Sequence, residues 1–282
     1  LTKYLGQETT LSAWTLLNRH LSKAFTTFPG ISSAASTFKN YMLPKIENAL
    51  KLIGLEQAAG AKGTDVILRG ILLDRACALE HTGCLNYASS LFKSWKDSSD
   101  GINPIPTDIQ GIMYCGAISN PSSASEAFQF FYDNYKREAD PTLKAKYLSA
   151  LGCAKEGSIV DALYLDAITP ESGIADPDRS RLLRMLASHP SGRRATLAFI
   201  NNNLGNKLLT PDLYASVMDT VSFYVAHQEE IDQIQLGIDS NSDALSQVQP
   251  NLNDSILWMK RNADWMSAEG NAMILWFNEN LS

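Results

Sequence analysis

The chain has 282 residues, 45% of them hydrophobic and 19% charged, with a formal net charge of -6. That is ample apolar material for a large core, and with only 17 Gly and 11 Pro the composition excludes a disordered chain. Nucleic acid is excluded as a partner, because 24 basic residues stand against 30 acidic ones and no basic run is longer than Arg193-Arg194.

The opening Leu1-Thr2-Lys3 shows neither an initiator Met nor a signal sequence, so the chain is expected to be a piece of something longer. No stretch approaches the ~18 uncharged apolar residues of a membrane span. Even the segment from Val66 to Leu73 is interrupted by Arg69, and direct membrane insertion is not expected.

Taken in chain order, Trp14, Leu17, Leu21 and Phe25 step by three or four residues and predict one amphipathic helix ending before Pro29-Gly30. The same spacing returns in Val66, Leu68, Ile71, Leu72 and Ala76, then in Tyr87, Leu91, Phe92 and Trp95. Ser98 to Pro106 reads as a loop, and Ala127, Phe128, Phe131 and Tyr135 mark the next helix. Asp140-Pro141, Asp176-Pro177 and Thr210-Pro211 each read as a capping residue followed by Pro at the first helical position. Gly237 to Asn253 is a polar stretch read as a loop with some helix in it. Trp258, Trp265 and Trp276 crowd the end at near-helical spacing, and core packing is the expected role for that stripe.

Period-two alternation is hard to find, so the fold class is all α, with about fourteen short helices joined by tight turns. Such a succession predicts an α-solenoid of stacked antiparallel hairpins with a concave face, and composition does not shift along it. Residues 1–282 therefore read as a single helical domain.

Catalytic frames are lacking. His20, His81, His189 and His227 are scattered, with no His-Glu-x-x-His helix, no zinc-finger cysteine spacing, no phosphate loop and no Gly-x-Ser-x-Gly elbow. No catalytic residue and no metal ligand is assigned, and each His reads as solvated or hydrogen-bonded. Cys77, Cys84, Cys115 and Cys153 form an even set: four buried thiols in a cytosolic chain, two bridges in a secreted one, with three connectivities left open by spacing. Asn253-Asp254-Ser255 and Asn280-Leu281-Ser282 are acceptor sequons for N-glycosylation.

Several segments together resemble the C-terminal helical domain of the aminopeptidase N and endoplasmic reticulum aminopeptidase family of zinc aminopeptidases. They are Arg75-Ala76-Cys77-Ala78-Leu79-Glu80-His81-Thr82-Gly83-Cys84, then Phe92-Lys93-Ser94-Trp95-Lys96-Asp97, Pro104 to Ile109, Met113 to Ile118, and Leu151-Gly152-Cys153-Ala154-Lys155-Glu156. The start, Tyr4 to Thr9 through Trp14, and the end, Ile256 to Lys260 with Ile274 to Phe277, are similar to the same domain.

The resemblance implies a HEAT-like fourth domain of an ectopeptidase, with Cys77 bridged to Cys84 and Cys115 to Cys153. It implies a role as a non-catalytic lid over the protein's own catalytic domain, where the zinc and the Gly-Ala-Met-Glu-Asn loop reside, so that this chain needs no cofactor. A peptide substrate and a homodimer are among the partners it implies, in a secreted, cell-surface or secretory-lumen setting. Two departures stand out: Leu197 replaces a usual Trp, and Asp219-Thr220-Val221 lacks a usual nearby Arg, so no substrate-contacting Arg carries over. The other reading of the same helical pattern is a free-standing α-solenoid binding module or receptor surface.

Overall fold

In the computed structural model, which describes residues 2–281, helices dominate the chain and no strand occurs among those residues. In order they are α1 (Leu11–His20), α2 (Ser22–Thr27), α3 (Ser32–Ile53), α4 (Gly63–Ala78), α5 (Thr82–Lys96), α6 (Gln110–Ser119), α7 (Ala124–Arg137) and α8 (Pro141–Leu151). They continue as α9 (Gly157–Ala167), α10 (Asp176–Ser188), α11 (Pro190–Asn202), α12 (Pro211–Ser222), α13 (Gln228–Ser240), α14 (Ser242–Leu245), α15 (Gln249–Trp265) and α16 (Asn271–Glu279). Fourteen of these described helices have nine residues or more, as the apolar periodicity predicts.

Local chemistry sets most boundaries. Asp140 accepts hydrogen bonds from the backbone N–H of Thr142 (2.7 Å) and Leu143 (3.0 Å), with Pro141 opening α8. Thr210 Oγ1 likewise accepts from Leu213 N–H at 3.2 Å ahead of α12. The third expected cap is corrected: Ala175 takes the extended N-cap conformation and Asp176 is already inside α10. There its carboxylate pairs with Arg179 one turn on and faces the positive end of the helix dipole, which rewards an acid in the first turn even without a cap bond.

The first expected helix is also corrected. Leu21 leaves helical geometry (φ -96°, ψ 6°), so α1 stops at His20, and α2 gives way to a 3-10 turn over Phe28–Gly30. Burial of Trp14, Leu17 and Leu21 kept the spacing regular across the break. Ser98 to Pro106 is non-helical, and its chain is pinned by Trp95 Nε1–H on Gly101 O (3.3 Å) and Asn103 Nδ2 on the Tyr114 hydroxyl (2.6 Å). Gly237 to Asn253 is almost entirely helical, its polar residues facing outward from α13 to α15.

Packing follows a two-layer rule. Helices α4, α6, α8, α10 and α12 touch one another in succession, α5, α7, α9 and α11 pack against that row as the second arm of each hairpin, and α13 packs on α15. This is the stacked-hairpin solenoid, in which each unit buries its apolar face on the next. The row then closes. α12 packs on α15, and α15 runs without a break through a π-helical turn, Met266–Gly270, into α16, which packs on α3; α3 in turn packs on α4.

Two kinds of contact hold the closure. Phe277 meets Tyr41 at a centroid distance of 4.6 Å and Phe38 at 5.6 Å, while Phe28 meets Phe38 at 5.4 Å and Trp265 at 6.0 Å. Each such aromatic pair contributes about 0.5–1.5 kcal/mol beyond the area it buries. Asn262, 2% exposed, donates from Nδ2 to Ser222 O (2.7 Å) and Val225 O (2.9 Å) at the end of α12 and accepts from Lys23 Nζ of α2.

The structure pairs Cys77 with Cys84 and Cys115 with Cys153, each with Cα atoms 5.3 Å apart, and no described cysteine is free. The first bridge ties the end of α4 to the start of α5, and the second ties α6 to the turn after α8. Loop-closure entropy assigns them roughly 2.5 and 4 kcal/mol. The terminal tryptophan stripe is corrected in part: half-buried Trp265 packs against the core, stacked on Phe28, but Trp258 is 50% and Trp276 39% exposed. Near-helical spacing placed the three on one helix, but the π-turn between Trp265 and Trp276 shifts the register, and Trp258 projects to solvent beside Arg261.

Urea unfolding should therefore separate three substitutions. Trp95→Ala, removing a buried ring stacked on Tyr114 (5.5 Å), is expected to cost roughly 3–5 kcal/mol. Asn262→Ala, leaving two buried carbonyls unpaired, is expected to cost about 1–3 kcal/mol. Trp258→Ala is expected to stay within about 0.5 kcal/mol of the parent; equal losses at Trp95 and Trp258 would contradict this assignment.

Candidate functional site

The carboxyl ends of α4, α8, α10 and α12 face the same space, and α2 and α3 wall it off from the other side. Between them lies a cavity of about 410 Å³. Phe25, Pro29, Phe38, Leu79, Pro190 and Tyr224 supply apolar walls, and Lys39, Glu80, Lys155 and His189 supply the polar groups. A concave, mostly apolar space with a few converging polar groups is the usual form of a binding site. Helix carboxyl ends carry partial negative charge, which favours the two lysines there.

Glu80 is held in place by its backbone. Its φ of 58° is the only left-handed value among described non-glycine residues, and it falls within the loop closed by the Cys77–Cys84 bridge. That turn aims the carboxylate between two cations: Oε1 accepts from Lys155 Nζ at 2.5 Å and Oε2 from Lys39 Nζ at 3.3 Å. The Lys155 bond, followed by the other charge contacts, holds the Glu80 carboxyl below the usual carboxylate range against the opposing effect of burial. The three residues join α3, the α4–α5 corner and the turn after α8, which are far apart in sequence.

His189 is the single residue linking α10 to α11, extended (φ -94°, ψ 138°) as the residue before a proline must be. The link is tight. A Cβ on Gly192 would lie 2.3 Å from Leu186 O, so only glycine lets α11 start so close to the end of α10. Burial, with a smaller contribution from Lys155, lowers the His189 pKa to about 4.

The other histidines lie elsewhere. His81 accepts the Cys84 N–H on Nδ1 (3.2 Å) and so caps α5, while His20 and His227 are exposed. Leu197 lines a separate cavity of about 190 Å³ with Arg194, Tyr214 and Ile234. Asp219, Thr220 and Val221 lie within α12, and the cations that reach the larger cavity are Lys39 and Lys155. Sequence reasoning missed these two, Glu80 and His189. No motif links them, and the one local signal was the pre-proline position of His189.

Chemically this arrangement can hold a ligand with an apolar body and polar ends, but it offers no activated nucleophile. Among the described residues no three His, Cys, Asp or Glu side chains converge as metal ligands would, so the residues here do not fit the zinc of an aminopeptidase. No described helix is long and apolar enough to cross a membrane. Of the sequon residues, Asn253 is exposed on α15 and Asn280 is half-buried at the end of α16, while Ser282 lies outside the described residues.

The depressed His189 pKa has a defined sign. The unfolded chain takes up a proton near pH 6.5 and the folded one only near pH 4, so the folding free energy is full above pH 6.5 and falls as pH drops toward 4. The loss over that window is expected to reach at most about 3 kcal/mol. His189→Gln should flatten this part of the stability profile measured by urea titration, and an unchanged slope would contradict burial of a neutral imidazole.

Comparison with known proteins now places the chain. Residues 1–254 match the profile of the ERAP1-like C-terminal domain. Aminopeptidase N of Plutella xylostella is 23% identical over 283 residues, covering 95% of this chain but 29% of the relative. Endoplasmic reticulum aminopeptidase 2 of Homo sapiens is 25% identical over 245 residues, covering 82% of this chain and 24% of the relative. The chain thus spans less than a third of the length of these curated relatives, and it belongs to the family of ERAP1-like C-terminal domains.

Proposed function

We propose that residues 1–282 act as one unit, the non-catalytic lid and interaction domain of a zinc aminopeptidase that removes N-terminal residues from peptides. Catalysis belongs to another part of the same protein, which is this domain's intramolecular partner and holds the zinc. There the metal would polarise the peptide carbonyl and activate water; this chain contributes shape, exclusion of solvent and a limit on which peptides fit. The observation that carries the reading is coverage: a match over 95% of this chain takes up only 29% of a whole aminopeptidase.

The cavity at the helix carboxyl ends is the surface by which the lid meets substrate. Its apolar walls and the Lys39–Glu80–Lys155 bridge suit the far part of a peptide whose first residue sits at the distant zinc. Two disulfides support passage through an oxidising compartment. The protein is accordingly assigned to the secretory pathway, as a secreted, lumenal or membrane-anchored enzyme.

The test uses the full-length protein. Lys39→Ala with Lys155→Ala should lower kcat/KM for long peptides by about tenfold while leaving a single aminoacyl amide unchanged. The isolated 282-residue chain should show no turnover. An equal fall for both substrates, no change for either, or zinc-dependent turnover by the isolated chain would contradict the lid.

A further inference from the structure

The buried arginines of this fold are matched with acids: Arg69, Arg179 and Arg193 pair with Asp108, Asp176 and Glu230. Burial requires it, because an unpaired charge is costly away from water. Arg181 and Arg184 of α10 differ. Among the described residues no carboxylate lies within ion-pair distance of either, although the chain carries 30 acidic residues against 24 basic ones. Arg181, which is exposed, donates from Nη2 to Ser149 Oγ of α8 (3.2 Å), and half-buried Arg184 donates from Nε to Ser180 O of its own helix (3.3 Å). Neutral acceptors thus position both guanidinium groups and leave their charge unmatched. Lys146 extends the group: three residues before Ser149 on α8, its Nζ donates to Gln110 Oε1 of α6 (2.8 Å), and its one influence on an acid, Asp140, is minor.

These cations are in register with the cavity. At about 100° per residue, Arg181, Arg184 and Ser188 fall within about 60° of one another around α10. They occupy the side opposite the buried Leu182, Leu183 and Leu186, and Ser188 lines the cavity. Along the helix Arg184 stands about 6 Å and Arg181 about 10 Å from Ser188, the span of about two and three residues of an extended peptide.

We propose that Arg181 and Arg184, with Lys146 beside them, select peptide substrates that carry an acidic side chain in their interior, about two to three residues from the part held in the cavity. The proposal rests on the lid reading above and adds the chemical class of the peptide. Charge complementarity names the occupant. A carboxylate arriving here meets permanently charged guanidinium groups with N–H donors to spare and displaces no resident acid. A basic side chain at the same place meets like charge and is disfavoured.

The test measures kcat/KM of the full-length enzyme for long peptides that carry Glu, Gln or Lys at one interior position, moved residue by residue along the peptide. At one such position Glu should be preferred to Gln by about threefold to tenfold and Lys should be the poorest, with the spread shrinking as salt is raised. Arg181→Gln with Arg184→Gln should bring the Glu-to-Gln ratio to about one. Arg181→Glu with Arg184→Glu should invert the order in favour of Lys, a reversal that a merely structural role cannot produce, since damage to the fold lowers all three rates together. Equal rates for the three peptides at every position in the parent would overturn the proposal and leave the lid reading standing. A preference for Glu that survives the reversed charges would also overturn it. No turnover of any peptide would remove the lid reading and the proposal with it.

Discussion

Closure of the helix row on itself is the constraint on which the rest depends. An open solenoid leaves its first and last hairpins with an uncovered apolar face, and natural arrays cap that face with polar residues. Here α15 and α16, continuous through the π-turn, carry the chain from α12 back to α3, so the two ends cover each other. The closing contacts divide the work. Phe28, Phe38, Tyr41 and Phe277 supply non-directional burial, whereas Asn262 is directional: its amide is satisfied only when α2, the end of α12 and α15 are all in place. A buried polar group so satisfied fixes one arrangement among several that aromatic burial alone would tolerate.

The cavity is a consequence of that closure. Its walls come from α2 and α3 at one end of the chain and from α10 to α12 near the other, and they face each other because the row is closed. The Cys77–Cys84 bridge and the left-handed turn at Glu80 then set one carboxylate between two lysines from different segments. The site is thus a property of the assembled row rather than of any one hairpin.

This origin explains what was legible in the sequence. Helix type and number follow from local apolar spacing, and Asp140 and Thr210 announce their helices because a cap and a proline act within four residues. The resemblance carried by Cys77 to Cys84 and by Phe92 to Trp95 was readable because those residues lie close together at the first disulfide and the Trp95 aromatic stack. Leu21 was not, since a one-residue departure from helix leaves the apolar period intact on both sides. Trp258 was misread because period alone places a ring on a helix without saying which face the rest of the fold covers. Lys39, Glu80, Lys155 and His189 span 150 positions between the first and the last, and no local pattern links residues brought together by closure.

The most direct test of closure is native-state hydrogen exchange across the chain in low denaturant, which reports the free energy at which each helix opens. If α16 and α3 cover each other, amides of α2, α3 and α16 must exchange through one shared opening of the same free energy and denaturant dependence. Exchange of α16 at much lower free energy, with α3 still fully protected, would show a terminal helix that merely rests on a solenoid complete without it.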